Sequence, residues 1–364
     1  MPVNNVGYRE WNGTKRGSFS RLKAIAITGL RISFKSQWIR RMLFISWAPV
    51  IFLGIGFFIF EKLMDEQAIQ VIQKMTAEGQ ASLSQVSPEA RKAAEARTAA
   101  ERQRRRNMRP PGEVRKMLGS VPKSDVMLES IMSDEPGVAR HTTWCWLLMA
   151  FFRVSQGALM LIMIGLIVPP LISRDLRSRA YLMYFSRPIG RLEYVLGKFA
   201  VPATLLAMIT LLPGMAVYVF GVMLSPGFSV VLDTWDIPFR IVAASAVIII
   251  PTSLLALAYS SLTYESRFAA FAWFATWGLG LGASTAMSLA RLDPEKLQRG
   301  GPLAAMNSDW SFLSIYSSIG VVQEWIFGLE TRASAVLPVM LVLVAITLLS
   351  AIVLFRRVTA PINA

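Results

Sequence analysis

The side chains most often used for covalent and metal chemistry are scarce in this chain. It contains one histidine, His141, and one cysteine, Cys145. That leaves too few soft ligands for a structural zinc, haem or iron–sulfur site, and a single cysteine cannot build a disulfide framework. We therefore predict no catalytic residue, no metal site and no cofactor bound by this chain.

A nucleotide-driven motor needs a phosphate-binding loop of the form Gly-x-x-x-x-Gly-Lys-[Ser/Thr]. The nearest stretch, from Gly190 to Phe199, has the wrong spacing and places Phe199 where a magnesium-binding hydroxyl belongs. If the chain moves something uphill, its motor must be another polypeptide.

The most informative stretch is the basic segment 173–198, which carries six Lys and Arg and an apolar, aromatic cluster at 181–185. An apolar cluster within a basic loop is typical of a docking surface. The alternative is an ordinary basic loop with interfacial aromatic side chains. Arg187 precedes Pro188 and should interrupt the helix, because a residue before proline avoids the helical region.

Arg153 is the only charged residue deep within the apolar segments described below. It lies roughly 10 Å from the Trp146 end of its segment. It can snorkel or pair with an acid, or it can contact a substrate, and we treat it as a substrate-path candidate. These segments contain no Asp or Glu, which argues against proton or sodium coupling. They also lack the paired groups that an intramembrane enzyme requires.

Composition indicates a membrane protein. Hydrophobic residues make up 54% of the chain, charged residues 17%, and the mean hydropathy is +0.46. Soluble domains carry about 25% charged residues, so a soluble enzyme is excluded. About 20 apolar residues cross the bilayer as a helix. Six segments reach this length: Met42–Phe60, Cys145–Ile172, Val195–Leu224, Pro238–Leu262, Phe268–Leu289 and Ala335–Phe355.

The distribution of charge predicts the topology. With the N-terminus inside, the cytoplasmic segments contain 18 Lys and Arg against 4 Asp and Glu, and the outer segments contain 18 against 19. Short cytoplasmic loops are rich in basic residues, so both termini are predicted to be cytoplasmic. The net charge of +15 is then mainly a topology signal, and no nucleic-acid partner is expected. Tryptophans near the span ends fit interfacial belts: Trp47, Trp144, Trp146 and Trp235.

We thus predict an all-α integral membrane protein with six transmembrane helices. Its segments are a cytoplasmic arm 1–41, span 1 at 42–60, an extracytoplasmic helical insert 61–144, spans 2–5 at 145–289 with a cytoplasmic segment 173–194, a loop 290–334, and span 6 with a tail at 335–364.

Three segments outside the spans carry alternatives. Residues 18–38 form an amphipathic helix in the headgroup plane, either an elbow that touches a cytoplasmic partner or a plain anchor. The basic run Arg102–Arg106 of the insert is a solvated helix face or a binding surface. The apolar content of 290–334 predicts helices that dip into the outer leaflet.

The run from Ile172 to Lys198 resembles the hallmark of ABC-2 type permeases. In that pattern an acid follows the second span, then come Leu-Ser-Arg-Pro-Ile-x-Arg and Tyr-x-x-Gly-Lys. Here the chain reads Tyr184-Phe185-Ser186-Arg187-Pro188-Ile189-Gly190-Arg191 and Tyr194-Val195-Leu196-Gly197-Lys198. The resemblance, together with the aromatic cluster, gives these candidate ATPase-coupling residues: Asp175, Tyr184, Arg187, Pro188, Arg191, Tyr194, Gly197 and Lys198.

The resemblance also implies a fold like that of type V exporters, with re-entrant helices before span 6. It implies two copies of an ABC ATPase subunit that hold ATP and Mg²⁺, and a second permease copy or paralogue. Gly278 and Gly282 form a close-packing motif, interpreted as a dimer contact or as tight packing within one subunit.

The expected function is that of a permease subunit of an ABC exporter, in the lipid bilayer of a bacterial inner membrane. The alternative is a membrane scaffold or anchor of a cell-envelope machine, whose 61–144 insert binds an extracytoplasmic protein.

Overall fold

The computed structural model describes residues 17–58, 123–131, 136–180, 190–225, 229–291 and 310–359. Within these ranges the regular elements are helices and none is a strand, in agreement with the predicted all-α class. Most of the 61–144 insert lies outside the described residues.

The described α-helices are numbered here in chain order. They are α1 Ser18–Phe34, α2 Gln37–Phe58, α3 Ser124–Ile131, α4 Pro136–Ala150, α5 Gly157–Ile167, α6 Pro169–Arg177, α7 Arg191–Ile209, α8 Leu211–Leu224, α9 Ser229–Asp233, α10 Ile237–Leu262, α11 Ser266–Arg291, α12 Ile315–Ile326 and α13 Ala333–Thr359. A π-helix, Phe151–Gln156, joins α4 to α5, and a 3₁₀ turn, Ser311–Leu313, precedes α12.

Five helical stretches in the described ranges are long and apolar enough to cross a membrane. They are Gln37–Phe58, Gly137–Arg177, Arg191–Leu224, Ile237–Leu262 and Ala333–Val358. Each overlaps one of the predicted spans, which makes the chain a multi-pass membrane protein. The remaining predicted span matches α11, whose 26 residues extend about 39 Å. Its Gly, Trp, Ser and Thr residues make α11 less apolar than the five stretches above. That α11 crosses the membrane as a sixth span therefore stays a prediction.

Helix α10 lies at the centre of the bundle. It packs against α6, α7, α8, α11, α12 and α13. Its apolar residues surround the whole helix, as expected of a buried helix, and its Ala, Ser and Thr side chains allow close approach of neighbours. The apolar windows of α2 and α13 are only 17% and 22% buried, compared with 61% for α10. These two helices are therefore peripheral and present apolar surface for lipid.

The interfacial prediction is wrong for Trp144 and Trp146, which are both buried. The Trp144 ring packs edge-on against Phe57 at 4.8 Å and against Tyr218 at 5.9 Å between centroids. The early residues of span 2 are covered by neighbouring helices, so their position near a span end did not make them interfacial. Trp235 is exposed, as a belt residue would be.

Helix α1 lies directly against the start of α7. A Cβ atom added at Gly29 would lie 2.5 Å from Val201 Cγ2, and one added at Gly197 would lie 2.8 Å from Ile25 Cγ2. Each glycine thus receives a branched side chain of the other helix, which lets the two backbones approach closely. The segment predicted as an amphipathic elbow is therefore a packed part of the bundle.

We expect Gly29→Val to weaken this packing, because the new side chain would overlap Val201. Overpacking of this kind costs about 1–3 kcal/mol, measurable as a lower thermal unfolding temperature in mild detergent. Gly54→Val is the matched control, since among the described residues no atom lies within 4 Å of a Cβ at Gly54. Equal losses from both variants would contradict the packing argument.

Candidate functional site

The inner ends of spans 2 and 3, meaning the ends predicted to face the cytoplasm, are joined by a polar cluster. Asp175, near the end of α6, accepts a hydrogen bond from the Tyr194 hydroxyl at 2.8 Å. It also forms an ion pair with Lys198 Nζ at 2.7 Å. Lys198 also donates to the Leu171 carbonyl at 2.8 Å and lies 5.5 Å from the Tyr194 ring centroid. We call Asp175, Tyr194 and Lys198 the inner tie. It fixes α6 to α7 through charge-assisted contacts, which are the stronger class of hydrogen bond.

Span 4 holds the start of α6 in place. The proline pair at 169–170 interrupts span 2 at Val168, and the first turn of α6 then needs acceptors for its N–H groups. Ile172 and Ser173 donate their backbone N–H groups to Ser260 Oγ, at 3.1 and 3.2 Å. The Ser260 hydroxyl in turn donates to the Pro169 carbonyl at 2.6 Å. One hydroxyl thus uses both lone pairs and its proton to repair the break.

The elbow helix reaches the same region. Arg21 of α1 forms an ion pair with Glu193 at 3.0 Å, and Glu193 accepts the Gly190 N–H at 3.1 Å, at the start of α7. Arg191 is the first residue of α7 and is partly exposed. Three candidate coupling residues lie outside the described residues: Tyr184, Arg187 and Pro188. The structure brings Asp175, Tyr194 and Lys198 together, and Gly197 of α7 faces Ile25 of α1.

The two candidate dimer glycines lie on an open face of α11. Gly278 and Gly282 are exposed, and the described part of the chain places no atom within 4 Å of a Cβ at either position. Gly280 points to the other side, where a Cβ would lie 3.0 Å from the Leu313 carbonyl oxygen. This face of α11 is thus not used for packing by the described residues of the chain.

Arg153 forms a buried ion pair in the middle of the bundle. Its Nη1 lies 3.0 Å from Glu324 Oε1, and the two side chains are only 4% and 2% exposed. Arg153 belongs to the π-helix, a form in which one extra residue widens the turn and which is frequent at functional sites. Glu324 belongs to α12, so the pair joins span 2 to the helix that precedes the last span.

The surroundings of Arg153 are built to hold this side chain. The Tyr316 ring lies 5.6 Å from the guanidinium carbon, and the Tyr316 hydroxyl donates to the Arg153 carbonyl at 2.7 Å. Gly320 leaves the space that the guanidinium occupies, because a Cβ there would overlap Arg153 Nη1. Only glycine fits at this position while Arg153 keeps its conformation.

A small cavity lies beside the Arg153 pair. This cavity has a volume of about 10 Å³, room for no more than about one water molecule. Arg153 is an internal tie between two elements here, and its contact with a substrate stays a prediction.

Glu324 is the buried charged residue of this site that the sequence analysis missed. It lies outside the six predicted spans, and its loop was read only as apolar and aromatic. A usable signal was present, since Glu324 is a single acid in the otherwise uncharged run 310–329. An isolated acid in an apolar helix needs a partner, and the chain has one deep arginine.

A further polar group lies at the ends of the helices that are predicted to face outward. Asp236 contacts His141 Nε2 at 3.0 Å and the Arg240 guanidinium, and Arg240 Nη1 donates to the Ile326 carbonyl at 2.6 Å. Burial raises the pKa of Asp236, but hydrogen bonds from Arg240 and His141 outweigh it and lower the pKa below its usual value. This group joins α4, α10 and the end of α12.

Another group of ion pairs connects the end of the insert to the loop before the last span. Glu330 is bonded by Lys123 and by Arg332. Burial raises the Glu330 pKa, but these hydrogen bonds outweigh it and lower the pKa to about 2. Glu330 therefore stabilises the folded state fully at a pH above the ordinary pKa near 4.5, and this stabilisation is lost as the pH falls towards 2.

His141 and Cys145 do not form an active site. The Cys145 sulfur lies 3.8 Å from His141 Nδ1, and His141 contacts Asp236, which is the order of a nucleophile, base and acid. Cys145 is fully buried, however, so a substrate could not reach its sulfur. Among the described residues there is also no group of three or more His, Cys, Asp or Glu side chains that could hold a metal ion.

Removing either partner of the Arg153–Glu324 pair should be strongly destabilising. Arg153→Met or Glu324→Leu removes this ion pair from the remaining buried charge, at a cost of about 3–5 kcal/mol. The double variant removes both charges and should recover most of the loss, as thermal unfolding of the purified protein in detergent can measure.

Arg140→Met is the matched control for this cycle. The Arg140–Asp233 pair has the same geometry at 3.1 Å, but its side chains are 16% and 36% exposed, and a solvent-accessible pair contributes about 0–1 kcal/mol. A single Arg153 variant no less stable than the Arg140 variant would contradict the interpretation of the buried pair.

Comparison with known proteins gives the family. A family model described as ABC-2 family transporter protein matches residues 40–359, which is most of the chain. Neither the curated proteins nor the solved structures give a match. The match includes both the inner tie and the Arg153–Glu324 pair, and permeases of this family associate with an ABC ATPase partner. The chain therefore belongs to the ABC-2 family of transporter permeases.

Proposed function

We propose that this chain is the permease subunit of an ATP-driven exporter of a bacterial inner membrane. Two separate ATPase subunits bind ATP and Mg²⁺ and supply the energy, and this chain binds neither. A second permease copy or a paralogue completes the transport path. Family membership supports the transport role, and the missing phosphate-binding loop supports a separate motor.

The observation that carries the proposal is that span 2 connects two polar centres. Asp175 of the inner tie and Arg153 of the buried pair both lie on the stretch Gly137–Arg177. They are separated by 22 positions, or roughly 30 Å along a helix. A displacement at one end of this stretch reaches the other end through one connected backbone.

The breaks in span 2 give that backbone two places to bend. The π-helix lies at the Arg153 level, and the proline pair lies between it and the inner tie. Both are common causes of kinks in long helices. Span 2 thus combines rigid pieces with defined pivots, which suits an element that transmits motion.

In the proposed cycle, closure of the ATPase subunits pushes on segment 173–194. The coupling residues Tyr184, Arg187, Pro188 and Arg191 form the contact, and the inner tie makes the ends of spans 2 and 3 move together. The tilt of span 2 shifts Arg153, and Glu324 carries α12 with it. The path at the interface between two permeases then opens outward.

The open face of α11 supports the dimer in this proposal. No described atom of a neighbouring element lies within 4 Å of a Cβ at Gly278 or Gly282. A helix of the second permease can approach there as closely as small-residue motifs allow.

Breaking the inner tie should uncouple ATP hydrolysis from transport without preventing membrane insertion. Asp175→Asn removes the charge that Lys198 and Tyr194 share, and a charge-assisted bond contributes about 1.5–3 kcal/mol. We expect transport-coupled ATP hydrolysis of the reconstituted complex to fall about tenfold or more. Arg357→Gln, at an exposed position near the end of α13, is the control, and an equal loss of insertion and coupling would refute the role of the tie.

A complex isolated in mild detergent should contain an ABC ATPase subunit with a phosphate-binding loop. The permease alone in liposomes should not hydrolyse ATP, because no such loop is present in its sequence. Hydrolysis by the isolated chain would overturn the proposal.

Deletion of the insert distinguishes the exporter from the scaffold alternative. An exporter without the insert keeps its ATPase coupling, whereas a scaffold without it loses its partner.

A further inference from the structure

A large cavity lies between the elbow helix and the inner half of span 2. It has a volume of about 820 Å³, and its walls come from α1, the first turn of α2, α5, α6 and Lys198 of α7. A volume of this size is typical of a ligand site. It is distinct from the Arg153 region, whose cavity is about 10 Å³.

One end of this cavity is basic. Arg21, Arg174 and Lys198 line it, and Asp175 is the one acid among its lining residues. Lys198 is already balanced by Asp175, and Arg21 is balanced by Glu193. Arg174 is exposed and has no ion-pair partner in the described part of the chain. The cavity therefore presents a positive charge that a bound anion can balance.

The other end of the cavity is apolar. Leu166 and Ile167 lie about eight residues before Arg174 on span 2, which places them roughly 12 Å farther into the predicted membrane. Ile32 and Ile39 face the same cavity from the elbow helix and the first span. A small soluble anion could use the basic end but would leave this apolar wall uncovered.

We propose that this cavity binds an anionic phospholipid of the inner leaflet, with the phosphate near Arg174 and Arg21 and an acyl chain along Leu166, Ile167 and Ile39. Basic pockets between transmembrane helices on the cytoplasmic side are suited to anionic headgroups, and the cytoplasmic leaflet supplies such lipids. The ligand contacts both the elbow helix and span 2. This binding does not depend on the direction of transport or on the ATPase partner.

The test uses the delipidated full-length chain, with phosphatidylglycerol or phosphatidylcholine added in detergent and bound lipid counted by native mass spectrometry. We expect phosphatidylglycerol to be retained in preference to phosphatidylcholine. Arg174→Gln should weaken phosphatidylglycerol binding about fivefold, the effect of one basic residue on an anionic lipid. Arg357→Gln has the same charge change outside the cavity and should leave binding unchanged.

A second variant tests the apolar part of the site. Ala24→Trp keeps every charge but fills the cavity from the exposed side of α1, so it should reduce phosphatidylglycerol binding while the thermal unfolding temperature stays near that of the parent. Equal retention of both lipids, or no effect of Arg174→Gln, would overturn the proposal. Full competition by glycerol phosphate would also overturn it, because it would show that the site binds only the headgroup. Loss of lipid binding when the ATPase subunit is present would overturn it as well, because it would show that a protein occupies the site.

Discussion

The structure depends on how a broken helix satisfies its backbone inside a membrane. Hydrocarbon offers no hydrogen-bond partner, so each group freed by a break must be bonded by the protein itself. Span 2 is broken twice, and at each break a side chain from another helix forms hydrogen bonds with the backbone. Ser260 of span 4 bonds the start of α6, and Tyr316 of α12 bonds the Arg153 carbonyl in the π-helix. These repairs fix the positions of α10 and α12 relative to span 2.

Charges inside the bundle follow the same rule. Arg153 and Glu324 are individually costly to bury, and their ion pair offsets part of that cost. The pair consequently specifies which helix lies beside the π-helix. Gly320 adds a steric condition, because any larger residue would occupy the position of the guanidinium.

The polar groups are placed at three levels of the same bundle. The inner tie joins spans 2 and 3, the buried pair joins span 2 to α12, and the Asp236 group joins α4, α10 and α12. Between these levels, burial of apolar side chains alone gives a helix little preference for one register, since lipid is as apolar as the side chains. The directional polar contacts supply that register. A bundle held this way can change conformation by exchanging a few polar contacts.

The sequence by itself determined the class of protein, the positions of the apolar helices and the family resemblance. Those properties are local: an apolar run long enough to span a bilayer must be helical, and the motif from Ile172 to Lys198 is contiguous. Asp175, Tyr194 and Lys198 could be proposed together because all three belong to that contiguous motif. The sequence could not place Trp144 in the interior, because its burial depends on Phe57 and Tyr218 from distant segments.

Only the tertiary structure decided that Arg153 pairs with Glu324, that Ser260 repairs span 2, and that the elbow helix covers a cavity. Arg153 and Glu324 are 171 positions apart, and Ile172 and Ser260 are 88 positions apart. The cavity walls come from three separate stretches of the chain. Contacts over such separations are set by how the helices pack around α10. Helical periodicity fixes which face of a helix a residue lies on, but not which neighbour that face meets.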